Sequence, residues 1–228
     1  MFWYLPKIQT GKRAILALVW SEGKFLQKKL NWKRTLKWFN FYLSYHEKAL
    51  LLTPILGAPA LALALEFLKQ LGVEEVLALG WVGTITSSLK IGEIFLPTKA
   101  YPLEGTSKIY QKGKKCFFPE KELFKRIEIF LKEKNLEFKK GSLLSTDAPW
   151  FFERSFHFLK KWLNKVEGMD METSAFFSVC QSLNLKGVAI HLVSDEVGKL
   201  SEKTFIKIFE ERRESLLGLW ERFINHEI

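Results

Sequence analysis

Short uninterrupted apolar runs alternate along the chain with longer segments in which apolar residues recur every three or four positions. The short runs have the length of buried strands, and they cover residues 14–19, 37–45, 50–53, 76–79, 91–97, 138–144, 167–171 and 187–193. The longer segments have helical spacing, and they cover residues 21–30, 59–71, 121–134, 150–163, 173–183 and 201–225. Strands that alternate with helices predict a mainly parallel or mixed sheet with helices on both faces.

Proline and glycine mark the ends of the clearest helix. Pro59 lies in its first turn and Gly72 just after its last residue, where these residue types are favoured. Residues 49–65 carry no charge, but two prolines and a glycine interrupt them, so we interpret them as strand, loop and helix rather than a membrane span. No linker or repeat divides the chain, and residues 1–228 are predicted to form a single domain.

The charge balance bears on the choice of partner. The chain has 35 basic and 25 acidic residues, a formal net charge of +10, and a basic surface can attract nucleic acid or membranes. The cations, however, alternate with glutamates along predicted helices, for example at 120–122 and 210–213, which is typical of solvated helix faces. We therefore predict neither a nucleic-acid nor a membrane partner. A nucleic-acid-binding protein is an alternative that rests on net charge alone.

The cysteines and the N-terminus indicate the compartment. The chain has two cysteines, Cys116 and Cys180, which lie far apart in the sequence. They therefore fit neither a disulfide-rich protein nor the ligand spacing of a zinc site. No other cluster of ligating residues stands out, and no metal or organic cofactor is predicted. The N-terminus is apolar first and basic afterwards, the reverse of a secretory signal. These features predict a cytoplasmic protein.

Three groups of residues that could contact a ligand follow predicted strands. They are Gly80 with Gly83, Asp170 with Glu172, and Ser194 with Asp195. In open α/β sheets, ligands bind outside the carboxyl ends of the strands, so this coincidence is the first indication of function. A carboxylate can accept hydrogen bonds from two adjacent sugar hydroxyls, and paired glycines let a backbone approach a sugar or an anion.

Each group also has a purely structural explanation. Asp170 and Glu172 are acidic residues that favour a helix N-terminus. Asp195 could protonate or hydrogen-bond a departing base if burial raised its pKa, but Ser and Asp are also good helix caps. The two glycines are equally compatible with a tight turn.

Taken together, these segments resemble the nucleoside phosphorylase family, from about residue 51 to residue 206. The matching segments, in the family's order, are 53–59, 66–73, 79–83, 89–93, 104–107 with Tyr110, 145–147, 169–172 and 193–195. The Met-Asp-Met-Glu and Val-Ser-Asp segments are the most specific. The resemblance implies a three-layer α/β/α fold with a central mixed, partly barrel-like sheet. It also implies a homo-oligomer, either a dimer or a hexamer.

The resemblance implies roles for the acidic residues and the methionine between them. Glu172 would bind the ribose 2′- and 3′-hydroxyls while Met171 packs on the sugar. Asp195 would stabilise protonation of a purine leaving group, and Asp170 would lie near the base or the sugar.

Further substrate contacts are expected from glycine and aromatic residues. Gly80, Trp81 and Gly83 form what resembles the family's central glycine turn. Trp150 or Phe151 would form an aromatic wall under the base, with a core position as the alternative for both.

The acceptor of the ribosyl group is less clearly specified. The family's phosphorylases hold phosphate with arginines and a Ser or Thr. In this sequence, Ala78 and Trp81 stand at two of those positions. Other basic residues would have to bind the phosphate instead, namely Lys24, Lys33, Arg34 or Lys37. Residues 15–22 instead resemble the first strand and acidic turn of nucleosidases, which would make Glu22 the general base that activates water. The alternative for Glu22 is a solvent-facing acid in the first turn of a helix.

Against hydrolysis, the segment 104–107 and Tyr110 look more like phosphorylases. The sequence therefore favours phosphorolysis of a purine nucleoside to the base and ribose 1-phosphate, with phosphate as co-substrate. Hydrolysis through Glu22 and a non-catalytic nucleoside-binding protein remain as alternatives.

Overall fold

The computed structural model describes residues 11–197 and 205–228. The strands in these ranges are β1 (Arg13–Ala17), β2 (Arg34–Trp38), β3 (Phe41–Tyr45), β4 (Ala49–Thr53), β5 (Glu75–Thr84), β6 (Ile94–Pro102), β7 (Phe138–Ser145), β8 (Gly168–Asp170) and β9 (Lys186–Glu196). The helices are α1 (Trp20–Lys29), α2 (Ala58–Gln70), α3 (Thr106–Tyr110), α4 (Lys121–Glu133), α5 (Pro149–Glu153), α6 (Phe156–Lys160), α7 (Thr173–Ser182), α8 (Phe205–Ser215) and α9 (Leu217–Ile224). Every helix in the described ranges is too short or too polar to cross a membrane.

All the described strands belong to one mixed sheet that closes on itself. Its order is β2-β3-β4-β1-β5-β8-β7-β6-β9, and β9 also pairs with β5. Strands β5, β8, β7, β6 and β9 therefore form a closed ring, from which β1, β4, β3 and β2 extend as an open sheet. The prediction of a mixed, partly barrel-like sheet is confirmed.

Helices cover both faces of this sheet because its strands are apolar on both faces. In β1, Ala14 and Leu16 join a core with α2 and α7. Ile15 and Ala17 point the opposite way and join a second core with α1, α4, α8 and α9. The predicted three-layer arrangement is thus confirmed, and it explains why the strands are continuous apolar runs rather than alternating ones.

Most predicted strands and helices are confirmed within a few residues, but the aromatic segment 37–45 was predicted wrongly as one strand. It contains the turn of a hairpin, in which Trp38 lies opposite Phe41 in the antiparallel pair of β2 and β3. Phe39 adopts a left-handed backbone conformation at the turn, with φ of 54°. Neither Gly nor Pro occurs there, and Asn40 is a single turn-favouring residue within a continuous aromatic run, so the turn signal was weak.

Two predicted helices are interrupted. Segment 150–163 contains α5 and α6, because the Ser155 side chain accepts a hydrogen bond from the Phe158 N–H at 3.4 Å and caps a new helix. The C-terminal segment, predicted as one helix over residues 201–225, contains α8 and α9, which meet at Leu216. Residues 201–204 of the predicted helix lie outside the described residues. Helix α3 was not predicted.

Candidate active site

The three predicted groups lie at one edge of the sheet. Strands β1, β4, β5 and β9 are linked by parallel pairings, so their carboxyl ends share this edge. Strand β8 runs antiparallel to β5 and places Met169 opposite Gly83, while Asp195 pairs with Gly83 from the other side. The chain that follows Met169 then carries Asp170, Met171 and Glu172 past the ends of the strands.

The glycines serve close packing rather than the predicted turn. Both lie inside strand β5, so the prediction of a glycine turn after the strand is wrong. A Cβ on Gly80 would lie 2.8 Å from Leu18 Cδ1 and 2.9 Å from His191 Nδ1, and a Cβ on Gly83 would lie 3.2 Å from Asp195 Oδ2. Side chains at these positions would displace the residues around the edge.

Glu172 is a buried carboxylate held by backbone donors. Its Oε1 accepts a hydrogen bond from the Gly57 N–H at 2.6 Å, and its Oε2 accepts one from the Met171 N–H at 3.3 Å. Burial raises the pKa of Glu172 to about 8, and the neighbouring charge of Asp170 adds to this increase. The folded protein therefore holds a proton on Glu172 near neutral pH. Met171 beside it is half-buried.

Asp170 is fully engaged inside the protein. Its Oδ1 accepts a hydrogen bond from Ser145 Oγ, and its Oδ2 accepts bonds from the Thr173 N–H at 3.0 Å and from Thr173 Oγ1. Thr173 Oγ1 also lies 2.7 Å from His191 Nε2. These contacts fix the turn from β8 into α7, which gives Asp170 a structural role. Its contact with the substrate remains a prediction.

Glu22 is not the solvent-facing acid of the alternative interpretation, because its side chain is completely buried. Its Oε1 accepts hydrogen bonds from Trp81 Nε1 and from Arg213 Nη2, both at 3.1 Å, and Ser21 Oγ lies 3.4 Å away. Its Oε2 has no hydrogen-bond partner among the described residues. Burial raises the pKa of Glu22, and the positive charge of Arg213 opposes that increase.

Glu22 and Glu172 lie at the same end of the sheet because one loop contacts both regions. The Ile55 N–H donates to the Leu18 carbonyl at 3.1 Å, and Gly57 on the same loop donates to Glu172. Gly23 fits tightly beside the loop, since a Cβ there would lie 1.9 Å from Thr53 Oγ1. Thr53 Oγ1 is buried and has no partner among the described residues. Near this edge, Glu22 Oε2 and Thr53 Oγ1 are thus two buried oxygens without a partner among the described residues, and Thr53 Oγ1 faces Gly23.

Asp195 lies at the end of β9 and is half-buried, so the alternative interpretation as a helix cap is wrong. Ser194 Oγ contacts both the Asp195 carboxylate and the Val82 carbonyl. Burial raises the pKa of Glu153 on α5, and the negative charge of nearby Asp195 raises it further. Sequence reasoning missed Glu153.

The two residues predicted to form an aromatic wall under the base, Trp150 and Phe151, lie at the surface. The side chains of Trp150 and Phe151 are 75% and 71% exposed, so the core alternative is wrong for both. Their contact with a base remains a prediction, as does the homo-oligomer. Phe152, which sequence reasoning missed, packs instead in a small apolar cluster with Met169 and Val197, next to the strand ends.

The basic residues suggested as phosphate ligands either contact other side chains or are exposed to solvent. Lys33 pairs with Glu47, and Lys24 lies over the Trp20 ring at 5.0 Å, while Arg34 and Lys37 are exposed. The cation at the edge of the sheet is Arg213, which sequence reasoning missed because it lies 191 residues from Glu22. Within the described ranges, no group of three or more His, Cys, Asp or Glu could hold a metal ion.

The proton on Glu172 gives an expected result for stability. Between about pH 4.5 and pH 8 the unfolded chain has Glu172 ionised while the folded chain keeps it protonated. The folded state therefore binds more protons, and this group lowers the free energy of unfolding by about 1.4 kcal/mol for each unit that pH rises. Glu172→Gln, which mimics the protonated form, should remove this slope.

Urea unfolding of the wild type and Glu172→Gln at several pH values between 5 and 8 measures the difference. If the free energy of unfolding changed with pH in the same way for both proteins, the assignment of the proton to Glu172 would be contradicted. The variant should lose charge-assisted bonds to the sugar hydroxyls only above about pH 8, where wild-type Glu172 is ionised, and there the loss would cost about 1.5–3 kcal/mol of substrate or transition-state binding.

Comparisons with known proteins agree with this arrangement. Residues 15–225 match the family model described as the phosphorylase superfamily. The chain is 26% identical over 136 residues to guanosine phosphorylase of Halorubrum lacusprofundi, covering 59% of this chain and 56% of that protein. It is 32% identical over 124 residues to a 5′-methylthioadenosine/S-adenosylhomocysteine nucleosidase of Buchnera aphidicola, covering 51% and 53%.

The matches therefore span only a little over half the length of these two curated relatives. The solved structure of purine nucleoside phosphorylase from Toxoplasma gondii superposes with a TM-score of 0.81 over 96% of this chain and 93% of that one, at 15% identity. That likeness shows a shared fold. Because the family model covers nearly the whole chain, the chain belongs to the phosphorylase superfamily.

Proposed function

We propose that this protein hydrolyses the N-glycosidic bond of a purine nucleoside, with Glu22 as the general base that activates water. The observation that carries this proposal is the buried Glu22 carboxylate, whose Oε1 is held by two N–H donors while its Oε2 has no partner among the described residues. A fixed carboxylate with one available oxygen can accept a proton from a water molecule.

The same carboxylate would oppose phosphorolysis. A doubly charged phosphate placed beside an ionised Glu22 would be repelled, and Ala78 and Trp81 offer none of the partners that the family's phosphorylases use at those positions. Trp81 instead donates its N–H to Glu22. The sequence favours phosphorolysis, whereas the geometry supports hydrolysis. The curated relatives include both a phosphorylase and a nucleosidase, so the choice of hydrolysis rests on the geometry of Glu22.

The reaction proposed here breaks the bond between C1′ and the base nitrogen. The bonding electrons leave with the base, and Asp195 at the end of β9, in its protonated form, would donate a proton or a hydrogen bond to the base. Glu172 would orient the ribose through its 2′- and 3′-hydroxyls. Water then attacks C1′ while Glu22 accepts its proton, so the products are the free base and free ribose.

The products test this proposal directly. The purified protein is incubated with a panel of purine and pyrimidine nucleosides, with and without phosphate, and the sugar product is identified. We expect free ribose from purine nucleosides at a rate independent of phosphate. Ribose 1-phosphate, formed only when phosphate is added, would overturn hydrolysis.

Phosphorolysis remains the second candidate because of one observation. Arg213 brings a guanidinium to the edge of the sheet, and its Nε is buried without a partner among the described residues. If the assay yields ribose 1-phosphate, Arg213 would be the first residue to examine as a phosphate ligand.

A further inference from the structure

Helix α8 carries a charged side chain into the candidate active site from the far end of the chain. Arg213 Nη2 lies 3.1 Å from Glu22 Oε1. Four residues earlier on the helix, Phe209 packs edge-to-face against Trp81, with ring centroids 5.2 Å apart. Helix α8 therefore contacts both residues of the Glu22–Trp81 pair.

The surroundings of Arg213 hold it in one position. Its side chain is only 16% exposed, and its guanidinium lies 5.7 Å from the centre of the Phe25 ring. On the adjacent residue, Glu214 Oε1 pairs with Lys29 Nζ at 2.6 Å and ties α8 to α1. An arginine held against an aromatic ring loses little further freedom when it binds a carboxylate.

The groups that contact Glu22 come from three structural elements. Helix α1 contributes Ser21, strand β5 contributes Trp81, and helix α8 contributes Arg213. Of these groups, Arg213 alone carries a charge. A completely buried carboxylate without such a charge would favour its protonated form, which cannot act as a base.

We propose that Arg213 is a positioning residue that keeps Glu22 ionised and holds its Oε1, leaving Oε2 to accept the proton of water. This inference rests on the proposed function, because it gives Arg213 the task of preparing the hydrolytic base. Arg213 acts through Glu22 and not on the substrate.

The test is the pH dependence of turnover in three variants. Arg213→Gln removes the charge, Arg213→Lys keeps it, and Arg212→Gln removes the same charge from the neighbouring position. Loss of the cation raises the pKa of Glu22, so more of the base is protonated at low pH. We compare the ratio of the kcat of Arg213→Gln to the kcat of the wild type at two pH values. We expect this ratio to be lower at pH 5.5 than at pH 9 by about tenfold or more.

Arg212→Gln should have the wild-type pH profile, and Arg213→Lys should restore most of it. If Arg213→Gln and Arg212→Gln have the same profile, the inference is overturned while the proposed function stands. A uniform loss of activity at every pH would also overturn it, because a merely structural role predicts that result.

A second measurement does not depend on activity. In protein labelled with ¹³C at the glutamate carboxyl groups, the Glu22 signal is assigned by its absence from Glu22→Gln. Its titration midpoint should move to higher pH in Arg213→Gln and stay unchanged in Arg212→Gln. If no nucleoside is cleaved, the proposed function fails, and this titration still decides whether Arg213 controls Glu22; an unmoved midpoint overturns the inference.

Folding of Arg213→Gln is tested with the double variant Glu22→Gln/Arg213→Gln. If the single variant is destabilised because it leaves a buried carboxylate without its cation, the double variant should unfold at a higher denaturant concentration. A double variant no more stable than the single one would show that Arg213 stabilises the fold independently of Glu22, against the inference.

Discussion

Replacing Glu22 by glutamine should lower kcat by about 10²–10⁴-fold, the usual contribution of a general base, while leaving the fold intact. The amide oxygen can still accept the hydrogen bonds that Trp81 and Arg213 donate to Oε1. The amide nitrogen cannot accept a proton from water at the Oε2 position. The variant therefore removes the chemistry and keeps the contacts. Single-turnover measurements with the best nucleoside of the panel give the change in the chemical step.

A smaller variant provides the control. Glu22→Ala leaves a space the size of a small carboxylate beside Trp81 and Arg213, and added formate should restore part of the activity if Glu22 acts as a base. Full activity in Glu22→Gln, with the phosphate-dependent formation of ribose 1-phosphate, would instead place Glu22 outside the chemistry.

Asp195→Asn should depress the cleavage of purine nucleosides by about 10²–10⁴-fold, the range expected when acid catalysis is lost. Asp195 lies at the end of β9, beside the closely packed Gly83, and Ser194 Oγ hydrogen-bonds it. Asparagine keeps the size of the side chain but cannot donate the same proton to a departing base. The effect should appear in kcat more than in KM.

A substrate that needs no proton separates this role from a general loss of structure. The 4-nitrophenolate of a 4-nitrophenyl riboside departs as a stable anion, so Asp195→Asn should cleave it at close to the wild-type rate. Equal losses on the purine nucleoside and the nitrophenyl riboside would show that Asp195 supports the pocket rather than the leaving group. A wild-type preference for uridine would also count against its purine role.

Much of the fold could be predicted from the sequence because the strands are buried on both faces. Continuous apolar runs such as β1 and β9 indicate a sheet covered on each side, and this is what the two cores show. The hairpin of β2 and β3 was missed because its turn uses Phe39 in place of Gly or Pro. The break at Ser155 was missed because aromatic residues at helical spacing continue past it.

The candidate site was only partly predictable, for a physical reason. Glu172 and Asp195 stand in short segments with a recognisable order, so one sequence is enough to select them. Arg213 has no such signal, because nothing in the local sequence of an amphipathic helix tells which arginine reaches a carboxylate 191 residues away. Gly80 and Gly83 were selected correctly as special positions but for the wrong reason, since neighbouring side chains and not a turn require them.

The pairing of Glu22 with Arg213 has a consequence for synthesis of the protein. The ribosome completes every strand of the closed ring before it makes helix α8, because β9 ends at Glu196 and α8 begins at Phe205. A nascent chain at that stage has all the strands of the ring, while Glu22 lacks its cation and the second core lacks the side chains of α8 and α9. Contacts between such distant parts of a chain cost loop-closure entropy and slow folding. A chain released before α8 would lack both the cation that contacts Glu22 and the apolar side chains of α8 and α9 that cover one face of the sheet, so we expect an incompletely made copy to be unstable as well as inactive.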